Sequence, residues 1–233
     1  MENESVDELI QALSSDKLIT LKIGNNPETS FSVQIQQKVL KLASTWFRNA
    51  LKEDKERQTN VITLTEEDSN TWKIALFWII NRKIPENDFF RNVECWLLGH
   101  QYGMPHFQDQ VMLQLLEDDD VRHGRFYGLI DFSQKYQDLV SAIPSDSALM
   151  RFLAEQAARD WDWDKPRYHA IIAELKRDAG FLMYYEKAEQ ELKLDEGHLD
   201  FPLVGFEEDV REDRRAQWRD YMVGELPVFM QYI

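Results

Sequence analysis

The sequence predicts an α+β protein: a small sheet flanked by a helical cluster, followed by a mainly α-helical C-terminal region. Three observations carry this expectation. The strand-like segments are short and all fall before residue 65. From there on, apolar residues recur at three- and four-residue intervals, the helical spacing. Between the two halves stands a run of carboxylates, Glu117-Asp-Asp-Asp120, where the composition shifts. The chain is accordingly expected to divide into a first domain over 1–118 and a helical extension over 119–233.

The elements follow in order. Val6, Leu9, Ile10 and Leu13 make one apolar stripe on a short helix over 5–14. Lys17 to Ile23 alternates at period two in its second half, Gly24-Asn-Asn-Pro27 supplies turn chemistry, and Thr29 to Val33 returns as a second strand. This is a hairpin. Val39, Leu40, Leu42, Ala43, Trp46, Phe47 and Leu51 follow a helical rhythm with a break near Ser44. After the charged residues 52–57, Val61 to Leu64 is a third strand. Thr65 is positioned to cap the next helix, because a threonine oxygen can accept from a free amide of the first turn. That helix, with Trp72, Leu76, Trp78, Ile79 and Ile80, is apolar on most faces and is expected to be central; Lys83-Ile-Pro85 closes it. Asn92 to Tyr102 and Phe107 to Leu116 form a helix pair around Gly103-Met-Pro105, glycine stopping the first and proline opening the second. Further helices are expected over Gly128 to Val140, Ser147 to Trp161 (capped from within Ser145 to Ser147), Tyr168 to Arg177 and Met183 to Leu192. Phe201 to Phe206 reads as an extended or looped segment, and Glu207 to Trp218 as a charged helix candidate.

Charge narrows the partners. The formal net charge is −15, and no Lys/Arg cluster stands clear of carboxylates, so phosphate backbones and anionic lipid surfaces are repelled. Neither nucleic acid nor membrane is an expected partner. The longest apolar run, Ile74 to Ile80, is too short to span a bilayer. Cys95 is the single cysteine, which excludes an intrachain disulfide and suits a reducing compartment. The acidic residues 1–8 lack the pattern of a secretory leader. A cytoplasmic or nuclear protein is expected.

The residue types that perform chemistry lack the spacing it needs. None of the five histidines has a second histidine or a cysteine at helical spacing, and one cysteine cannot build a thiolate cluster, so no metal site is expected. Asp160-Trp-Asp-Trp-Asp164 has carboxylates at alternate positions, but tryptophan between them and no following glutamate ligand argue against a calcium loop. Cys95 precedes Trp96 in an apolar helix and reads as a buried, inert thiol. No nucleophile elbow or phosphate-binding glycine loop occurs. Neither a cofactor nor an active site is expected, and the chain is read as not an enzyme.

One stretch speaks to function. Phe31-Ser-Val-Gln-Ile-Gln-Gln-Lys-Val-Leu-Lys-Leu-Ala-Ser-Thr-Trp-Phe47 runs from a strand into a helix that ends on a Ser-x-x-Phe turn. It resembles the signature of the BTB/POZ domain. Ile19 to Gly24 is similar to that family's first core strand, Val61 to Asp68 to its Leu-x-Glu-Asp run, and Trp96 to Pro105 to its Ala-Asp-Lys-Tyr-x-Met-Pro block. The order helix, strand, strand, helices, strand, helix, helix pair over about half of the chain is the BTB order. Trp96-Leu-Leu-Gly99 and Ala157 to Trp161 resemble the fungal branch. There are departures. Gln34 stands where the family has histidine, Thr45 where it has proline, and its aspartate before the first strand is absent near Lys17-Leu18. A corepressor pocket and a repressor role are therefore not expected.

The resemblance implies a protein-binding scaffold, with protein partners, a homodimer and a cullin scaffold as the candidates. Leu9, Ile10 and Leu13 are the candidate self-association residues; they serve equally well as a cover for the sheet of their own chain. Leu51, Glu53, Lys55 and Glu56 form the candidate cullin-facing loop. Leu51-Lys-Glu53 carries the letters of the apolar-x-Glu motif of cullin adaptors but lies at a helix end, where Leu51 also reads as core. Two readings follow: a substrate adaptor for a cullin-RING ubiquitin ligase whose C-terminal half recruits the partner, or a cullin-independent self-association or interaction protein.

Overall fold

The computed structural model describes residues 17–52, 60–65, 68–121, 134–159, 172–194 and 221–224. It is α+β and mostly helical, with one three-stranded mixed sheet among the described residues. The chain folds as two compact units, residues 1–86 with 98–107 and residues 87–97 with 108–233.

In the first unit, β1 (Leu18–Ile23) is the central strand, in the order β2-β1-β3. It pairs antiparallel with β2 (Phe31–Gln36), from Leu18 opposite Gln36 to Ile23 opposite Phe31. It pairs parallel with β3 (Val61–Leu64), from Thr20 opposite Val61 to Ile23 opposite Leu64. Period-two alternation turns Ile19, Leu21 and Ile23 to one face, where all three are buried. The opposite face is mainly polar, with Leu18 and Val61 exposed on it. The second strand begins two residues later than the alternation suggests. The amides of Thr29 and Ser30 both donate to the Asn26 carbonyl, and this closes a tighter turn that keeps them out of the ladder.

Next come α1 (Gln37–Ala43) and α2 (Thr45–Ala50), broken at Ser44 where the rhythm predicts. Ser44 has an extended backbone, and its hydroxyl caps α2 by accepting from the Phe47 amide at 3.1 Å. Helix α3 (Ser69–Asn81) is capped by Asp68 and not by Thr65. The Asp68 carboxylate accepts from both the amide and the hydroxyl of Thr71, at 2.8 and 2.7 Å, two bonds where one threonine hydroxyl would offer fewer acceptor sites. The helix ends before Lys83, at Arg82, whose left-handed backbone (φ 56°) lets its amide close on the Trp78 carbonyl.

Helices α4 (Phe89–Gln101) and α5 (Pro105–Val121) are joined through Gly103. Gly103 has φ +57°, and a Cβ there would collide with the Thr45 side chain, so glycine serves both the turn and the close approach. Pro105 opens α5, as expected of a residue whose missing amide has no helical acceptor. The run Glu117–Asp120, where the composition shifts between the two halves of the sequence, continues α5. The helix is anchored by buried Val111, Met112, Leu115 and Leu116, and no Gly or Pro interrupts it between Pro105 and Val121.

In the second unit, α6 (Gln134–Ser141) is followed by α7 (Ala148–Arg159), by helical residues 172–175 and by α8 (Ala179–Leu194). Ser147 caps α7, its hydroxyl accepting from the Met150 amide at 3.1 Å, within the predicted Ser145 to Ser147 window. Asp178 caps α8 by accepting from the amides of Gly180 and Phe181, which starts that helix four residues before the expected Met183. Helices α7 and α8 pack closely around Leu149, Phe152, Leu153 and Phe181. Gly180 allows the approach, because a Cβ there would run into the Ser145 carbonyl.

Candidate interaction surfaces

The turn at Ser44 fixes the first surface. Besides capping α2, the Ser44 hydroxyl donates to the Tyr102 carbonyl at 2.6 Å, and the Thr45 amide donates to the Gly103 carbonyl at 3.0 Å. Two turns, 58 residues apart in sequence, are thereby tied together. The rings of Trp46, Phe47, Trp72 and Tyr102 gather on the tie, with Trp72 edge-on to Tyr102 at 4.9 Å between centroids. This clustering orients α2 and sends Leu51 inward. Leu51 is 4% exposed, and its amide closes the helix on the Phe47 carbonyl.

Leu51 is thus the one member of the candidate cullin-facing loop whose place is described, and its side chain lies in the core. Glu53, Lys55 and Glu56 lie outside the described residues, as do Leu9, Ile10 and Leu13.

A surface that the sequence reading passed over lies on α3. Its inner side is as apolar as expected, with Trp72, Ala75, Trp78 and Ile79 buried. Its outer side is not covered by the described residues: Phe77 is 47% and Ile80 65% exposed. Lys73, one turn before Phe77, and Lys83, three residues after Ile80, are exposed, as is Arg82 at the end of the helix. The Lys73 ammonium stands 5.7 Å over the Phe31 ring and donates to the Asn70 side-chain oxygen Oδ1 at 3.4 Å. The Arg82 guanidinium lies 5.0 Å over the Trp78 ring, and that ring meets Phe107 at 5.2 Å. The sequence signal was present: lysine and arginine at 73, 82 and 83, with no carboxylate between Asp68 and Glu86. A helix apolar on most faces was read as enclosed, whereas the cations mark the side that faces water.

In the second unit, two acidic side chains hold a distant segment. Asp109, 8% exposed, accepts from the Val223 amide at 2.6 Å and, through both carboxylate oxygens, from the Gly224 amide at 3.1 and 2.9 Å. The Tyr221 hydroxyl donates to Glu155, which also pairs with Arg151 at 2.7 Å. The Arg151 guanidinium lies 4.9 Å over the Tyr221 ring. No sequence signal announces the Asp109 grip, because its partners are more than a hundred residues apart.

Tyr185 on α8 is buried beside Glu189. Burial pushes its hydroxyl up to about 12, helped by the negative charge of Glu189 and by the hydrogen bond donated to it. A cavity of about 390 Å³ lined by Asp138, Ser141, Glu174, Arg177 and Asp178 lies in the same unit, and its Glu174 and Arg177 pair at 2.6 Å. Cys95 is buried. Among the described residues no group of three or more His, Cys, Asp or Glu is placed to hold a metal ion, and no helix is long and apolar enough to cross a membrane.

No protein-family model matches the chain, and no curated protein matches it.

Proposed function

We propose that the protein is a protein–protein interaction scaffold built on a BTB/POZ-type fold, with the C-terminal helical half recruiting a partner. The order strand, strand, two short helices, strand, helix, helix pair supports the fold part of this reading, as does a sheet in which β1 pairs antiparallel with β2 and parallel with β3. The functional part is carried by one observation: two large apolar side chains, Phe77 and Ile80, stand exposed on the most apolar helix of the first unit. Apolar side chains grouped on a surface favour burial against another molecule.

In its sharper form the scaffold is a substrate adaptor for a cullin-RING ubiquitin ligase. The second reading, cullin-independent association, is favoured by Leu51, whose burial takes the apolar letter of the adaptor motif away from the surface. Calorimetry of the full chain with the N-terminal domain of a BTB-binding cullin separates the two. Micromolar binding, about −8 kcal/mol, supports the adaptor form; no heat at high micromolar concentration assigns the chain to the second. Light scattering tests the dimer. Wild type running as a dimer and Leu9→Asp/Leu13→Asp as a monomer supports self-association, and a monomeric wild type overturns it.

A further inference from the structure

We propose that the outer face of α3 is a docking surface for an acidic amphipathic segment of a partner protein. The segment carries two large apolar side chains three or four residues apart, flanked by carboxylates. This rests on the interaction-scaffold reading and names the partner chemistry.

Geometry supplies the apolar half. Phe77 and Ile80 are three residues apart on a helix, so their Cβ atoms lie about 5–6 Å from one another on one face. Their exposures, 47% and 65%, leave much of two large side chains in water. A helix or turn presenting two side chains at the same spacing would cover both together.

Charge supplies the selective half. Lys73 lies one turn before Phe77, and Arg82 and Lys83 follow Ile80. From Ser69 to Pro85 there is no Asp or Glu, although at the frequency of the whole chain a stretch of this length would hold about three. Among the described residues the Lys73 ammonium meets an aromatic ring and an amide oxygen but no carboxylate. The rest of the molecule is strongly anionic, with a net charge of −15 for the whole chain. Fields on such a surface act over about 8–10 Å at ordinary ionic strength. An acidic segment is therefore attracted at this face and repelled elsewhere, which selects the place and steers the approach. Two lysines, Lys73 and Lys83, on so acidic a molecule are few for a phosphate backbone or a lipid surface, and the exposed phenylalanine and isoleucine suit a peptide better.

The test uses the full chain and a fluorescein-labelled synthetic helical peptide with two leucines four residues apart flanked by glutamates. A second peptide has lysine at each glutamate position. Anisotropy titrations are made at low and high salt on wild type, Lys73→Glu/Lys83→Glu and Ile80→Ser, with melting curves to verify folding of these exposed-site variants. The expected result is binding of the glutamate peptide to wild type, weakened at least tenfold by either variant and by salt. The lysine peptide should prefer the charge-reversed variant. Equal binding of the two peptides, indifference to charge reversal, or binding only to anionic phosphatidylserine vesicles would overturn the proposal. So would a dimer that Ile80→Ser dissociates, since the face would then join copies of this chain. A failure here alongside cullin binding or self-association removes this docking surface alone; failure of all three removes the scaffold reading.

Discussion

Replacing Ser44 by alanine should cost far more than removing one exposed hydroxyl. The residue is 1% exposed, and its oxygen makes two bonds: it caps α2 through the Phe47 amide and donates to the Tyr102 carbonyl. Loss of an N-cap costs about 1 kcal/mol. Loss of a buried donor costs about 1–3 kcal/mol when its acceptor is left alone. The Tyr102 carbonyl is not wholly abandoned, because the Trp46 amide still reaches it at 3.4 Å, so the lower part of that range applies. The expected total is about 2–3 kcal/mol. Thr45→Ala is the control, because the Thr45 hydroxyl bond is exposed and long at 3.3 Å, and it should cost under about 0.5 kcal/mol. Urea titrations followed by tryptophan fluorescence suit the question, since Trp46 and Trp72 flank Tyr102. If Ser44→Ala and Thr45→Ala shift the midpoint equally, the tie between the two turns does not hold the first unit together.

Other outcomes follow from the same contacts. Thr45→Pro should destabilise by about 1 kcal/mol: the extended backbone of Ser44 accepts a following proline, but the amide bonded to Gly103 is lost. Equal stability in chemical denaturation would contradict this. Asp109→Ala should cost about 2–3 kcal/mol and raise amide exchange at Val223 and Gly224, with Asp109→Asn between it and wild type. Unchanged exchange at those two amides would show that the carboxylate does not hold them. Tyr185 makes a prediction in pH. Its hydroxyl keeps its proton to about 12 in the folded protein against 10.0 when unfolded, so its contribution is complete below pH 10 and is lost as pH rises from 10 through 12. Wild type should lose stability faster than Tyr185→Phe across that interval in denaturant titrations; parallel curves would refute the assignment.

Local signals were legible wherever the deciding partner lay within a turn of chain. The break at Ser44, Pro105 at the start of α5 and the Ser147 cap each draw on neighbours within four residues. The cap of α3 shows the margin of that reasoning. Thr65 and Asp68 are both capping residues, and only the pairing of Asp68 with Thr71 separates them. The extension of α5 through Glu117–Asp120 marks a second margin, since a carboxylate run in a connector and one on a helix have the same composition.

By itself the sequence determined the α+β class, the alternation that buries Ile19, Leu21 and Ile23, and the net acidity, because periodicity and charge are properties of the chain alone. The tertiary structure alone decided that Phe77 and Ile80 face water and that Asp109 grips Val223 and Gly224. An apolar residue looks the same in sequence whether its side of the helix is covered or bare, and a carboxylate does not announce a partner more than a hundred residues away. Those choices are made only when distant segments compete for the same surface.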